Sequence, residues 1–273
     1  MIDDQDVHFL KETGARIQFS LDTIEPNVCK NLLGMPPSYL EKVSHCFALF
    51  EQVGLKIQLA TVLTPLNASM ESIKKLYEYI KQFSCIDSWT LRTADKSLYS
   101  RKDFDTLRLS RKELGETDQA IKQLKTIEKE LNISWDAENR KHYFQGTSGS
   151  KSFSGARCSA NYSNIMILPD GKVTICEQLY WNPKYIIGDL TRQSIVEVWN
   201  SQHALELAFP KREKFRDVSP CKKCSLFDEC YAYPNHCIVD VLKGYGADND
   251  DFPDPRCSRA PSFLTELRVG QND

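Results

Sequence analysis

The chain has 273 residues, of which 41% are hydrophobic and 26% charged, and its 35 basic and 37 acidic residues leave a net charge of −2. A sizeable core in one large or two ordinary domains is affordable, and wholesale disorder is excluded. The balanced charge gives no electrostatic case for nucleic acid or a membrane surface, and no apolar run approaches the roughly 20 residues of a membrane span. The N-terminus, MIDDQDVHFLKETG, is acidic and polar, unlike a signal peptide, so the expectation is a cytoplasmic protein whose cysteines stay reduced.

Residues 1–135 alternate strand-like and helix-like segments. Ala15–Asp22 alternates apolar residues at Ile17, Phe19 and Leu21. Ser38 and Glu41 form a capping-box pattern ahead of a helix whose apolar face is Tyr39, Val43, Cys46, Phe47, Phe50 and Val53, with Gly54 ending it. Lys56–Thr64 reads as a strand, residues 69–83 as a helix with Ile73, Leu76, Tyr77, Ile80 and Phe83 on one side, Ser88–Ala94 as a strand and residues 112–131 as a helix. That order predicts parallel strands with right-handed crossovers. Three or four strands make at most part of an eight-fold barrel, which takes about 250 residues. Gly146–Gly155 is small and polar, a linker by composition. Beyond it, Ser163–Cys176 reads as a hairpin turning at Pro169-Asp170-Gly171. Ser194 and Glu197 make a second capping box before one helix over 196–207, and after Cys230 little periodic structure is predicted.

Seven of the ten cysteines lie in this second part: Cys158, Cys176, Cys221, Cys224, Cys230, Cys237 and Cys257. Cys221 and Cys224 form a C-x-x-C pair, which brings two sulfurs within reach of one metal ion or cluster. Thiolates are the soft ligands that zinc and iron–sulfur clusters prefer, so the spacing reads as ligation rather than core filling.

The full pattern of Cys158, then Gly171-x4-Cys176, then Cys221-x2-Cys224-x5-Cys230, then Cys237 and Cys257 resembles the SPASM domain, the auxiliary-cluster module of many radical SAM enzymes. The segment GDLTRQSIVEVWNS between the halves is also similar to that family, while the six residues between Cys230 and Cys237 depart from its usual three. The resemblance implies an α/β chain: a partial (β/α) radical-SAM-type barrel over 1–145, a linker over 146–155 and a SPASM-like domain over 156–273 built of a β-hairpin, a helix and cluster-binding loops. It implies one or two auxiliary [4Fe-4S] clusters, with Cys221, Cys224, Cys230 and Cys257 on one and Cys158, Cys176 and Cys237 on the other. The fourth position of the three-cysteine set is left open: an iron free to solvent or substrate, a non-cysteine ligand, or loss of that cluster. LKETGARIQFSLDT resembles the middle of a radical SAM barrel, which implies that Ser20 and Asp22 lie near S-adenosylmethionine. Both also suit a turn at a strand end.

The family's C-x3-C-x2-C triad is absent, since Cys29, Cys46 and Cys85 are too dispersed to form it. The chain therefore resembles the C-terminal portion of a longer enzyme, inactive alone, whose partners would be a missing N-terminal half or split-gene partner, a peptide or protein substrate and an electron donor. Cys46 reads as core, Cys85 as core or boundary, and Cys29 as a loop thiol with no partner. His142, His203 and His236 lack metal-ligand spacing, although His236 adjoins Cys237. Tyr231, Tyr233 and Trp181 read as packing around cluster loops, and Lys211, Arg212, Lys214 and Arg216 as a solvated stretch. The rival readings are a zinc-binding interaction module and a non-catalytic iron–sulfur electron-transfer or scaffold protein.

Overall fold

Four parallel strands lie side by side in the order in which the chain makes them: β1 (Ile17–Ser20), β2 (Ile57–Leu63), β3 (Ile86–Thr93) and β4 (Asn132–Trp135). The computed structural model describes residues 2–94, 106–136, 158–232 and 236–262, which fall into two units, one up to residue 136 and one from residue 158. The linker 146–155, His142 and Tyr233 lie outside the described residues. Among the described residues no helix is long and apolar enough to cross a membrane.

In the first unit, α1 (Asp4–Glu12) precedes β1, and a turn of helix, α2 (Pro26–Val28), runs into a π-helical turn at Cys29–Leu33. The crossovers that follow are α3 (Tyr39–Val53), α4 (Met70–Ile80) and α5 (Arg111–Ile127). A strand order that never reverses is the winding of a barrel segment, not of a doubly wound sheet with a switch point. The α/β fold with a parallel sheet is thus the one the sequence predicts. The two faces differ as strand alternation requires. Ile57, Leu59, Leu63, Trp89, Leu91, Ile133 and Trp135 join Phe47, Phe50, Ile73, Leu76, Ile80 and Ile121 of the helices in one core. Phe19 and Phe83 pack edge-on against Phe47 at 5.1 and 4.9 Å between ring centroids. Thr61 is buried with its hydroxyl satisfied, donating to the Leu21 carbonyl at 2.7 Å and accepting the Trp89 indole N–H at 2.9 Å. The other face carries two registered rows across the sheet, Gln18–Gln58–Ser88–Asn132 and Ser20–Ala60–Thr90–Ser134. These rows are polar apart from Ala60, and Gln58 donates to the Thr90 hydroxyl at 3.1 Å.

Three local expectations need correction here. Ser38 does not cap α3: it is itself helical (φ −63°, ψ −8°), because the chain enters from the Pro36-Pro37 turn, and its side chain makes no capping bond. The fifth helix stops at Ile127, since Glu128 turns extended and its carboxylate takes the Tyr77 hydroxyl at 2.5 Å and the Leu131 N–H at 2.8 Å. Cys29 is not an unpartnered loop thiol: it is buried, and its sulfur donates to the Thr23 carbonyl at 3.6 Å. Cys46 and Cys85 are buried, as predicted.

The second unit begins with the predicted hairpin, β5 (Met166–Ile167) and β6 (Lys172–Thr174), to which β7 (Ile186–Asp189) adds antiparallel. Two glycines let this sheet close on its surroundings. Gly171 has φ +84°, and a Cβ there would stand 2.7 Å from the Thr191 methyl; one at Gly188 would stand 2.5 Å from Val198. The predicted helix over 196–207 is two, α6 (Ile195–Trp199) and α7 (Gln202–Ala208), because Ser201 leaves the helix and caps the second through Ala204 N–H. The Ser194–Glu197 capping box is present. Beyond a short α8 (Phe227–Tyr231), the region read as aperiodic contains α9 (Ile238–Tyr245), whose Val239 and Leu242 complete a core with Val173, Ile175, Leu179, Tyr185, Ile187 and Val198.

Candidate metal centre

None of the seven cysteines of the second unit is in a disulfide, and they divide between two cavities. Cys221, Cys224, Cys230 and Cys257 line a small one together with Tyr231 and Arg259. Cys158, Cys176 and Cys237 line a larger one of about 480 Å³. Each cysteine is set by a different piece of local structure. Cys176 follows β6, Cys221 and Cys224 sit in a tight turn closed by a Cys224 N–H to Cys221 carbonyl bond of 3.1 Å, Cys230 lies in α8, Cys237 precedes α9, and Cys257 follows a turn whose N–H bonds the Asp254 carbonyl at 2.8 Å.

The sulfurs meet hydrogen-bond donors. The Arg259 guanidinium donates to Cys224 Sγ at 3.0 Å and its backbone N–H to Cys257 Sγ at 3.5 Å, while the Tyr231 hydroxyl reaches Cys221 Sγ at 3.8 Å. In the second set, backbone N–H groups of Ala160, Gln178 and Asp240 face the sulfurs of Cys158, Cys176 and Cys237. Donors around thiolates are the means by which a protein steadies iron–sulfur ligands, so the residues present fit such a group. Burial pushes the thiols of Cys158, Cys176, Cys221 and Cys237 up, Cys221 to about 12. Without metal these thiols hold their protons at neutral pH, and ligation must release them. Among the described residues no three His, Cys, Asp or Glu side chains converge on a point that suits a single ion. Thiolates of a four-iron cluster bind separate irons and so stand farther apart.

Basic and aromatic residues expected only to face solvent or to pack, together with the unforeseen Asp254 and Arg256, shape this region. The Lys211–Arg216 stretch is engaged rather than merely solvated. Arg212 donates to the Cys224 carbonyl at 2.7 Å and to Asp228 at 2.9 Å, with its guanidinium 4.5 Å from the Phe227 ring centroid. Arg216 pairs with Asp251, its Nε at 3.0 Å, and reaches Asn249 at 2.9 Å, and Lys214 pairs with Glu206. Asp254 is fully buried; it accepts the Cys237 N–H at 3.0 Å and the Arg256 N, Nε and Nη2 at 3.0, 2.7 and 2.6 Å. Tyr231 stacks between Phe227 and His236, at 4.6 and 4.3 Å, and Trp181 donates to the Gln178 carbonyl at 3.1 Å. Burial holds the His236 imidazole down at about 4, so it is neutral near pH 7.

Ser20 and Asp22 lie in the first unit. Ser20 ends β1 and is exposed on the polar face. Asp22 ties β1 to the next strand: its Oδ1 accepts the Val62 N–H at 2.7 Å and its carbonyl accepts Asn67 Nδ2 at 2.8 Å. Burial raises its carboxyl above the usual range, opposed by the Val62 bond.

These features define a parallel α/β unit joined in sequence to a cysteine-lined, metal-binding unit. Residues 158–225, within that unit, match SPASM, an iron-sulfur cluster-binding domain. The chain is similar in fold to SuiB of Streptococcus suis bound to S-adenosylmethionine (TM-score 0.56, 18% identity, covering 94% of this chain and 57% of that one). It is also similar in fold to native anSMEcpe with bound AdoMet and Cp18Cys peptide (TM-score 0.51, 18% identity, 95% and 67% covered). The chain therefore spans a little over half the length of SuiB. Comparison with curated proteins gives no match. The resemblance to SPASM is borne out by the domain match in the second unit, and the expected α/β fold by structures that hold S-adenosylmethionine.

Proposed function

We propose that this chain is the cluster-bearing part of a radical SAM/SPASM system that modifies a peptide or protein, and that it holds two [4Fe-4S] clusters. Cys221, Cys224, Cys230 and Cys257 ligate one, and Cys158, Cys176 and Cys237 ligate the other. The observation that carries this reading is the division of seven cysteines, none in a disulfide, into a set of four and a set of three lining separate cavities. When bound, such clusters store and pass single electrons or present an iron to substrate. The chain's own residues bury the sulfurs, direct N–H groups at them and brace their loops with Arg212 and Arg216. An external electron donor completes the system. A peptide substrate is favoured because a structure that shares this fold, anSMEcpe, holds one. The place of S-adenosylmethionine is proposed at the strand ends of the polar face, beside Ser20 and Asp22. Reductive cleavage of that cofactor calls for a C-x3-C-x2-C triad, which none of the 273 residues forms.

Anaerobic reconstitution with iron and sulfide, followed by metal and sulfide analysis, tests the reading against the zinc module. A brown protein with equimolar iron and acid-labile sulfide supports it. A colourless protein holding stoichiometric zinc and no sulfide overturns it.

A further inference from the structure

We infer that Asp240 supplies the fourth ligand of the three-cysteine cluster, through a carboxylate oxygen. This rests on the proposed second cluster at Cys158, Cys176 and Cys237. Cys237-x2-Asp240 repeats the spacing of Cys221-x2-Cys224 with oxygen in place of the second sulfur. Across one helical turn, side chains three residues apart start about 5–6 Å from each other, a separation that serves two irons of one cluster. Asp240 lies in the first turn of α9, its backbone N–H and its carboxylate both in contact with the Cys237 sulfur.

A helix-capping role does not account for this carboxylate. In a capping box the third residue of the helix takes the backbone N–H of the capping residue. Here Asp254 takes the Cys237 N–H, at 3.0 Å. Asp240 faces the sulfur, Arg256, whose Nη2 is 3.1 Å from its Oδ2, and the charge of Lys243. Its side chain is 24% exposed and that of Arg256 only 8%. A carboxylate with one oxygen on a buried guanidinium keeps the other for a metal, and the cation offsets the negative charge of a three-thiolate, one-carboxylate cluster.

The neighbouring candidates are less suited. Asp254 is fully buried, and both its oxygens are occupied by Arg256 and Cys237 donors. Glu177 follows Cys176 directly but is exposed. The His236 ring lies flat on Tyr231, 5° from parallel, and adjacent residues seldom bring both side chains to one cluster.

The test uses the anaerobically reconstituted full chain and three variants, D240A, D240C and H236A, with cyanide as a small probe for an unligated iron. Wild type is expected to hold two four-iron clusters, and the paramagnetic signal of the three-cysteine cluster should not change with cyanide. D240A should respond to cyanide, and on mild oxidation it should lose about one iron per chain to a three-iron form. D240C should restore a cyanide-insensitive four-iron cluster, which a merely structural carboxylate would not predict. A cyanide-sensitive cluster in the wild type overturns the inference without any variant having to fold, and so does H236A, not D240A, opening the iron. A wild type with four irons in all sinks the two-cluster reading itself and the inference with it.

Discussion

Arg259 is the side chain placed most directly on a candidate ligand, and the local pattern gave no reason to notice it. Its guanidinium donates to Cys224 Sγ at 3.0 Å, and hydrogen bonds to sulfur raise the potential of an iron–sulfur cluster by stabilising the more negative reduced state. Arg259→Gln is expected to keep the iron content and lower the reduction potential of the four-cysteine cluster in a titration followed by electron paramagnetic resonance. An unchanged or higher potential contradicts the assignment. Asp22 invites a second test at this scale. Burial holds its folded-state carboxyl above the ordinary value, so its protonated form stabilises the fold at low pH and that contribution is lost as pH rises through the folded value. Asn keeps an oxygen for the Val62 N–H without a buried charge. Asp22→Asn should therefore be at least as stable as wild type to urea at pH 7, its advantage fading as pH falls through the raised folded value of the wild-type carboxyl and gone below the ordinary carboxylate range. Asp22→Ala, which leaves that N–H unpaired, should lose about 1–2 kcal/mol. If Asn costs as much as Ala, the carboxylate charge matters to the fold in a way this account does not include. Residues such as Arg212 and Arg216 were hidden because a run of basic residues usually faces solvent. Arg216 finds Asp251 thirty-five positions on, a partner that no local pattern reveals.

Elements were legible where their period ran long enough. β2, α3 and α4 follow from alternation and from apolar residues three and four apart, and α4 begins just after Ser69, the start expected for it, which caps the helix. Shorter or unusually capped elements escaped. α1 starts from a reciprocal Asp3–Asp6 box instead of Ser or Thr with Glu. α9 has eight residues and is preceded by a cysteine that makes no side-chain capping bond. β7 is four residues, Ile-Ile-Gly-Asp, too few to show alternation. The G-x4-C motif, by contrast, has a physical basis that the structure makes plain: positive φ at Gly171 and the approach of Thr191 leave no room for a side chain before the strand that leads to Cys176. Gly171→Ala is expected to destabilise the second unit by about 1–3 kcal/mol and to lower iron uptake at the three-cysteine site. Thermal unfolding and iron analysis of the variant check this. Wild-type values for both would mean that the turn relaxes around the added methyl.

At the scale of the whole molecule, two legible patterns sit in one chain: a non-reversing parallel sheet with one polar face, and a cysteine-lined domain matching SPASM. The cysteine spacing made the metal-binding character readable, because a ligand set must be written in the sequence whatever the loops do. It did not reveal the carboxylate beside Cys237, since Asp is ordinary in the first turn of a helix. The reduced and reconstituted 273-residue chain is expected to release no 5′-deoxyadenosine from S-adenosylmethionine above a no-protein control, because no triad is present to bind the cofactor. Product that disappears in Cys158→Ala would instead make the three-cysteine cluster the reactive one. The central claim, that four cysteines and three cysteines hold separate clusters, is tested most directly by iron counts with electron paramagnetic resonance on Cys257→Ala and Cys158→Ala. The account predicts about eight irons in the wild type, each variant losing one of two distinct signals and keeping the other. Loss of the same signal in both variants would contradict it.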